Sequence, residues 1–422
     1  MQSNSLCALA WRNINTTPQG GCKLCCNISD NIVIRNPDYT NAKWHTQSLD
    51  DIWNGAYMQS VRERMLSGER VKDCKVCNNI EESGNPSPRT HANRDYADTL
   101  NQDLRTVASA MPDSLELRLG TVCNLQCVTC WSGSSSKIAE ERKNAIENTA
   151  LPQWLDNQWR SEISIDYADN GYINSEQSKE NFRKMAPTLK RLYITGGEPT
   201  MDANIYQYLD ILLDAGNTTC HISFTTNCTV WNYKLLDRLA KFENTEVQIS
   251  IDGLNQIDEY IRYPTVWTEK VRNFEKYLKH DVAKTLKVYT VVGALNYNSI
   301  EPLIQWLIYM AEDYDKNIIW YPIMLDFPHH LSAKVIPMEY RVAAMTKLRT
   351  ALRPIVRGGH CNFHDGVDYM STTLLSQATA TQVAQQRLID WLAVNDTMHS
   401  MDHTAMWPAL ITQLKNGINT IK

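Results

Sequence analysis

The most constraining feature of this 422-residue chain is the stretch LRLGTVCNLQCVTCWSGSSS at 117–136, which places Cys123, Cys127 and Cys130 in one short loop. A cuboidal 4Fe-4S cluster takes four thiolates, so a loop that supplies three leaves one iron with an open position, as a catalytic metal site does. That iron can hold a reactant. Upstream, residues 115–119 alternate apolar and charged side chains like a short half-buried strand, and Gly120 lets the chain turn. The thiols therefore fall just past a strand end. The plainer readings of the same cysteines are a zinc site or a redox disulfide. Zinc favours paired Cys-x2-Cys knuckles or added histidines, and no histidine lies near this loop.

Cys-x3-Cys-x2-Cys after a first strand, followed by Gly196-Gly197-Glu198-Pro199 after a later one, resembles the radical S-adenosylmethionine (SAM) enzymes. The resemblance covers roughly residues 113–330. It implies that Cys123, Cys127 and Cys130 hold a 4Fe-4S cluster whose open iron chelates the methionine part of SAM. Reductive cleavage then gives a 5′-deoxyadenosyl radical that abstracts hydrogen from a substrate. The chain departs from the family in one place here: the aromatic residue usual before the third cysteine is Thr129, and Trp131 follows that cysteine instead. Altered packing around adenine is the expected consequence.

Composition excludes several other classes. Hydrophobic residues at 43%, charged residues at 21% and a formal charge of −5 describe an ordinary globular protein without the basic footprint of a nucleic-acid binder. No apolar run approaches the ~18 residues of a membrane span, and the first five residues show no basic start leading into an apolar segment. A cytoplasmic location is expected. Ten of the twelve cysteines lie in the first 220 residues, and in a reducing compartment such a grouping points to metal ligation more than to disulfides.

The N-terminal cysteines resemble the SPASM or shorter twitch auxiliary-cluster domain that accompanies many radical SAM enzymes. Cys7 matches its first ligand, Gly20 its turn, Cys25 its second ligand, residues 49–54 its Leu-x-x-Ile-Trp stretch, and Cys74 and Cys77 its Cys-x2-Cys pair. Four such ligands would close a second 4Fe-4S cluster. Cys26 is the alternative to Cys25, and Cys22 reads as a strand residue. That domain ordinarily follows the core, and here it precedes it. A zinc ribbon built on Cys25 or Cys22 with Cys74 and Cys77 is the competing reading, since such knuckles serve zinc as readily as iron. Residues 82–88 are rich in turn formers, and residues 90–107 are polar with helical spacing.

Residues 113–330 alternate strand and helix patterns, which implies a parallel sheet with crossover helices. Strands are expected at 115–119, 191–195, 221–225, 246–251, 287–292 and 317–321, and a helical excursion of no evident use at 151–187. Six such units suit the partial (β/α)6 TIM-like barrel that the resemblance implies, and loops at the carboxyl ends of parallel strands build the site. Gly196 and Gly197 permit close backbone approach to a ligand. The resemblance makes Glu198 an acceptor for the SAM ammonium and Asn227 a ribose or carboxylate contact. It places Ser250 and Asp252 where the family binds ribose or substrate, and makes Arg262 a carboxylate-binding arginine, with Asn296 a weaker candidate. Cys228 stands where the family has a turn glycine, which leaves the turn geometry open. Thr-Asn and Asp-Gly are also common turn formers, and Arg262 reads equally well as a surface helix residue.

Beyond residue 330 the pattern thins. His329 and His330, and the group His360, Cys361, His364 and Asp365, are read as turn residues before metal ligands. Residues 377–394 and 402–415 have helical spacing and suggest a small cap. The expected organisation is an auxiliary Fe-S domain at 1–88, a linker at 89–112, a radical SAM core at 113–330 and a helical region at 331–422. The expected enzyme modifies a peptide or protein side chain, and draws electrons from a donor such as flavodoxin or ferredoxin. The alternatives are oxidation or epimerisation of a sugar or nucleotide derivative and, from another class, a zinc-stabilised interaction protein without turnover.

Overall fold

The apolar alternation of residues 191–195 and 285–292 becomes strand in the computed structural model, which describes residues 5–29, 32–82, 84, 86–164, 171–353 and 363–419. The chain divides into two units. The first comprises residues 1–121, 167–224 and 232–245, and the second residues 122–166, 225–231 and 246–422.

In the first unit, β1 (Asn13–Thr16) and β2 (Cys22–Lys23) form an antiparallel pair turned at Gly20, whose φ is +75°. β1 then lies parallel to β3 (Ser114–Arg118), which is followed by β4 (Arg191–Thr195) and β5 (His221–Thr226), all parallel. The register aligns Leu115, Leu192 and Ile222, and likewise Leu117, Ile194 and Phe224. Because strand side chains alternate faces, these six lie on one face of the strands, and all are buried. The helices Glu176–Met185 and Asn204–Asp214 meet through Phe182 and Tyr208, ring centroids 4.9 Å apart.

The N-terminal segment pairs directly with the core strands. β1 pairs Ile14 with Leu115, and the expected linker forms helices Pro88–Asp95 and Ala97–Leu100. Arg12 ties that region to the foot of β3 through Asp113, 2.6 Å away.

In the second unit, β6 (Thr245–Ser250, its first residue in the first unit), β7 (Thr285–Val292) and β8 (Ile318–Met324) run parallel in chain order. The crossover helix Ile300–Asp313 buries Leu303, Ile304, Leu307, Met310 and Ala311, the i, i+3, i+4 stripe of an amphipathic helix. The C-terminal region is helical: Met338–Leu352, His364–Ser376, Gln382–His399, His403–Met406 and Pro408–Asn419. A helical C-terminal region was expected, with no particular helix placed at the first two. The class is α/β with mostly parallel strands, and among the described residues the strands of neither unit close on themselves. No helix among those residues is long and apolar enough to cross a membrane.

Candidate active site

Past β3 the chain reaches the three-thiol loop, whose shape is set by backbone bonds. The Gln126 N–H donates to the Tyr263 carbonyl (2.6 Å) and the Val128 N–H to that of Ile261 (2.8 Å), while the Cys130 N–H closes a turn on Cys127 (3.0 Å). Leu125 and Val128 are buried as anchors, and Cys123, Cys127 and Cys130 are half-buried. Burial pushes the Cys127 and Cys130 thiols up, against an opposing pull from Arg262. Such thiols give up their protons on metal binding, which is where the ligand set fits an iron-sulfur cluster.

A ring of hydrogen bonds joins this loop to the turn after β5. Asn227 Nδ2 donates to Asn124 Oδ1 (2.9 Å), Asn124 Nδ2 donates to Thr229 Oγ1 (2.9 Å), and Thr229 donates through N–H (3.0 Å) and hydroxyl (2.6 Å) to Asn227 Oδ1. Cys228 adopts φ +64°, so the glycine-like turn forms despite the side chain. Thr226 Oγ1 accepts its N–H at 3.0 Å, and Asn273 Nδ2 donates to its carbonyl at 3.1 Å.

After β6, Ser250 is half-buried, and Arg262 is not a surface residue. It is 8% exposed and its Nε lies 2.9 Å from Asp252 Oδ2, a charge contact without hydrogen-bond alignment, with Asp252 fully buried. Burial works against the Arg262 charge, but Asp252 and then Cys127 more than offset it. The other Asp252 oxygen accepts the Val291 N–H at 2.7 Å. Both oxygens of Asp252 therefore face groups of the protein itself. Asn296 braces the same loop by donating to the Asp252 (2.8 Å) and Val291 (2.9 Å) carbonyls.

In the first unit, Gly196 has φ +147°, and a Cβ there would stand 3.0 Å from the Gly120 carbonyl oxygen. The Gly197 N–H donates to that oxygen at 3.0 Å. Glu198 is 2% exposed, and its Oε1 accepts from the Thr200 N–H (3.1 Å) and hydroxyl (2.7 Å).

Also in the first unit, Cys7, Cys25, Cys74 and Cys77 line one cavity, walled by Leu9, Leu24, Ile28, Pro88 and Arg89. Cys74 ends a 3-10 turn and Cys77 lies in the first turn of helix Lys75–Glu82, so their spacing of three sets both on one side. Burial pushes the Cys25 thiol up to about 11 and that of Cys74 to about 12. Cys26 does not line this cavity and lies beside Glu116, and Cys22 is a residue of β2. Arg89, 3% exposed and paired with Glu81 (Nε to Oε1, 3.0 Å), brings a positive charge to the thiols. Among the described residues no three His, Cys, Asp or Glu side chains are arranged to hold a single metal ion. A zinc ion would draw its thiolates to within ~2.3 Å of one point.

Residues 117–307 match the family model of the Radical SAM superfamily. The chain carries a Radical SAM domain over that stretch. No curated protein matches its sequence. Solved structures to which it is similar include native anSMEcpe with bound AdoMet and Cp18Cys peptide, at 15% identity over 64% of this chain and 68% of that one, with a TM-score of 0.40. Streptococcus suis SuiB is 12% identical over 79% of this chain and 71% of that one, with a TM-score of 0.36. SuiB bound to its precursor peptide SuiA is 12% identical over 80% and 64%, with a TM-score of 0.33.

Sequence reasoning missed Asn124, Thr229 and Arg89. Asn124 carried a weak signal, its place between two ligand cysteines, whereas Thr229 and Arg89 had none that separated them from turn and helix residues. His330, expected as a turn residue, is buried between Trp154 (5.0 Å) and Trp391 (6.2 Å), and burial pushes its imidazole down to about 3. His360 and Cys361 lie outside the described residues.

The Asp252–Arg262 pair makes a stability prediction. Removing one partner of a buried ion pair leaves an uncompensated charge and costs about 3–5 kcal/mol. Asp252→Ala should therefore lower the urea midpoint of the anaerobically handled protein by that equivalent, with an unchanged m-value. An unmoved midpoint would mean that water or another group already compensates Arg262.

Proposed function

We propose that this protein is a radical SAM enzyme that modifies a peptide or protein side chain and carries a second 4Fe-4S cluster on Cys7, Cys25, Cys74 and Cys77. The carrying observation is the set of four thiols facing one cavity, in the same chain as a separate loop of only three. That combination fits the resemblance to the auxiliary-cluster family, whose members most often act on peptides. In this reading Cys123, Cys127 and Cys130 hold the cluster that, when bound and reduced, supplies the electron for cleaving SAM to the hydrogen-abstracting 5′-deoxyadenosyl radical.

The chain's own residues then have defined tasks. The backbone bonds from Gln126 and Val128 keep the three thiols in register. Arg262 stays protonated beside Cys127, and Asp252 holds it there. Gly196 and Gly197 leave the backbone bare for a ligand, Glu198 receives the SAM ammonium, and Asn227 and Ser250 receive its ribose or carboxylate. The buried Leu125 and Val128 anchors keep water from the back of the loop.

The test is co-expression with a short peptide encoded beside this protein, read by mass spectrometry. A mass change in the peptide that disappears with Cys127→Ala is expected. An unchanged peptide, together with 5′-deoxyadenosine formation stimulated by a sugar or nucleotide derivative, would move the enzyme to the other substrate class.

A further inference from the structure

The helix Gln153–Ile163 belongs to the excursion that the fold of the strands does not need. Its Leu155 and Trp159 are buried, and its last turn presents Glu162 to the three-thiol loop. The Ser132 N–H and hydroxyl both donate to Glu162 Oε1, at 2.8 and 3.0 Å. Glu162 also pairs with Arg142 of helix Ser136–Asn148, each side chain being 13% exposed. Arg142 in turn donates through Nη2 to the carbonyl of Cys130 itself, 3.1 Å away, and its guanidinium lies 5.6 Å from the Trp159 ring centroid. Two opposite charges are thus fixed, in little solvent, on the backbone of the third ligand and of the second residue after it.

We propose that Arg142 and Glu162 are positioning residues that set the reduction potential of the cluster on Cys123, Cys127 and Cys130, Arg142 raising it and Glu162 lowering it. The inference rests on the assignment of that cluster to the loop. Reduction adds one negative charge to a group already bearing thiolate charge, so a fixed cation beside it favours the reduced form and a fixed anion the oxidised form. Charges and hydrogen bonds outside the ligand set are established levers on cluster potential, and the low exposure of this pair limits screening.

The experiment is an EPR-monitored redox titration of the reconstituted full-length protein. The loop's signal is identified by its absence when Cys123, Cys127 and Cys130 are all replaced by alanine. Arg142→Gln should make reduction about tenfold less favourable and Glu162→Gln about tenfold more favourable, 59 mV in opposite directions for one electron. Arg142→Lys should stay near wild type. The double variant Arg142→Gln with Glu162→Gln leaves no unpaired charge and should return close to the wild-type midpoint, so it carries the test should either single variant lose iron. A purely structural pair would give shifts of one sign, or loss of iron from the double variant as well, and either result overturns the inference. A cysteine-dependent signal whose midpoint does not move overturns it alone. The lack of any signal that depends on the three cysteines overturns the loop assignment, and this inference with it.

Discussion

Replacing Cys123, Cys127 and Cys130 together by alanine should remove about four irons, the content of one cubane, and abolish 5′-deoxyadenosine formation with dithionite and SAM. The loss should be complete because the substitutions remove all three thiols of the loop. The fold should survive. The loop is held by main-chain bonds from Gln126 to Tyr263 and from Val128 to Ile261, and by the buried side chains of Leu125 and Val128, none of which the substitutions touch. Iron content, far-UV circular dichroism and product chromatography separate these effects. A triple variant that still makes 5′-deoxyadenosine would refute the assignment of the cluster to this loop. A variant that loses both iron and helical signal would show that the cluster, more than the main-chain bonds, organises the loop.

What could be read from the residues follows from how far each signal is local. β4, β5 and β7 alternate strictly along their length, so their placement within a residue or two needed only the period-two pattern. β1 and β2 are four and two residues long, too short for any period. β1 joins the parallel strands only by pairing with β3 about a hundred residues away, and β2 is held antiparallel to β1 alone. Cys25 and Cys26 are adjacent, and motif spacing favours Cys25 by a single residue. Only the turn after β2 settles that the former lines the thiol cavity and the latter meets Glu116. Arg262 read equally well as a carboxylate-binding residue or a surface helix residue, because its burial depends on Asp252, which is distant by more than a helical turn and supplies the charge that makes burial tolerable. Cys228 shows the reverse case. Its turn geometry was left open because of an intrinsic cost, roughly 1–2 kcal/mol for a left-handed residue, and the bonds to Thr226 and from Asn273 offset it. The helix Gln382–His399 was expected several residues early because its stop, Ser400 at φ +55°, is not a glycine.

Wild-type protein reconstituted without oxygen should carry about eight irons, two cubanes' worth, and Cys74→Ala with Cys77→Ala should keep about four. The argument is one of independence. The four N-terminal thiols face a cavity of their own among residues 7–89, and the loop at 123–130 shares no ligand with it. Breaking SAM needs only a reducible cluster with an open iron, whereas completing an oxidation needs somewhere for the substrate's electron to go. The double variant should therefore still form 5′-deoxyadenosine when supplied with dithionite, yet leave the true substrate unmodified or release it without the final mass change. Removing two ligands at once matters, because a single alanine can leave a three-thiolate cluster in place, as the loop at 123–130 is itself proposed to do. The metal analysis decides the chemistry of the N-terminal site directly. Four irons with one zinc in the wild type would make it a structural ribbon and leave this enzyme with single-cluster chemistry.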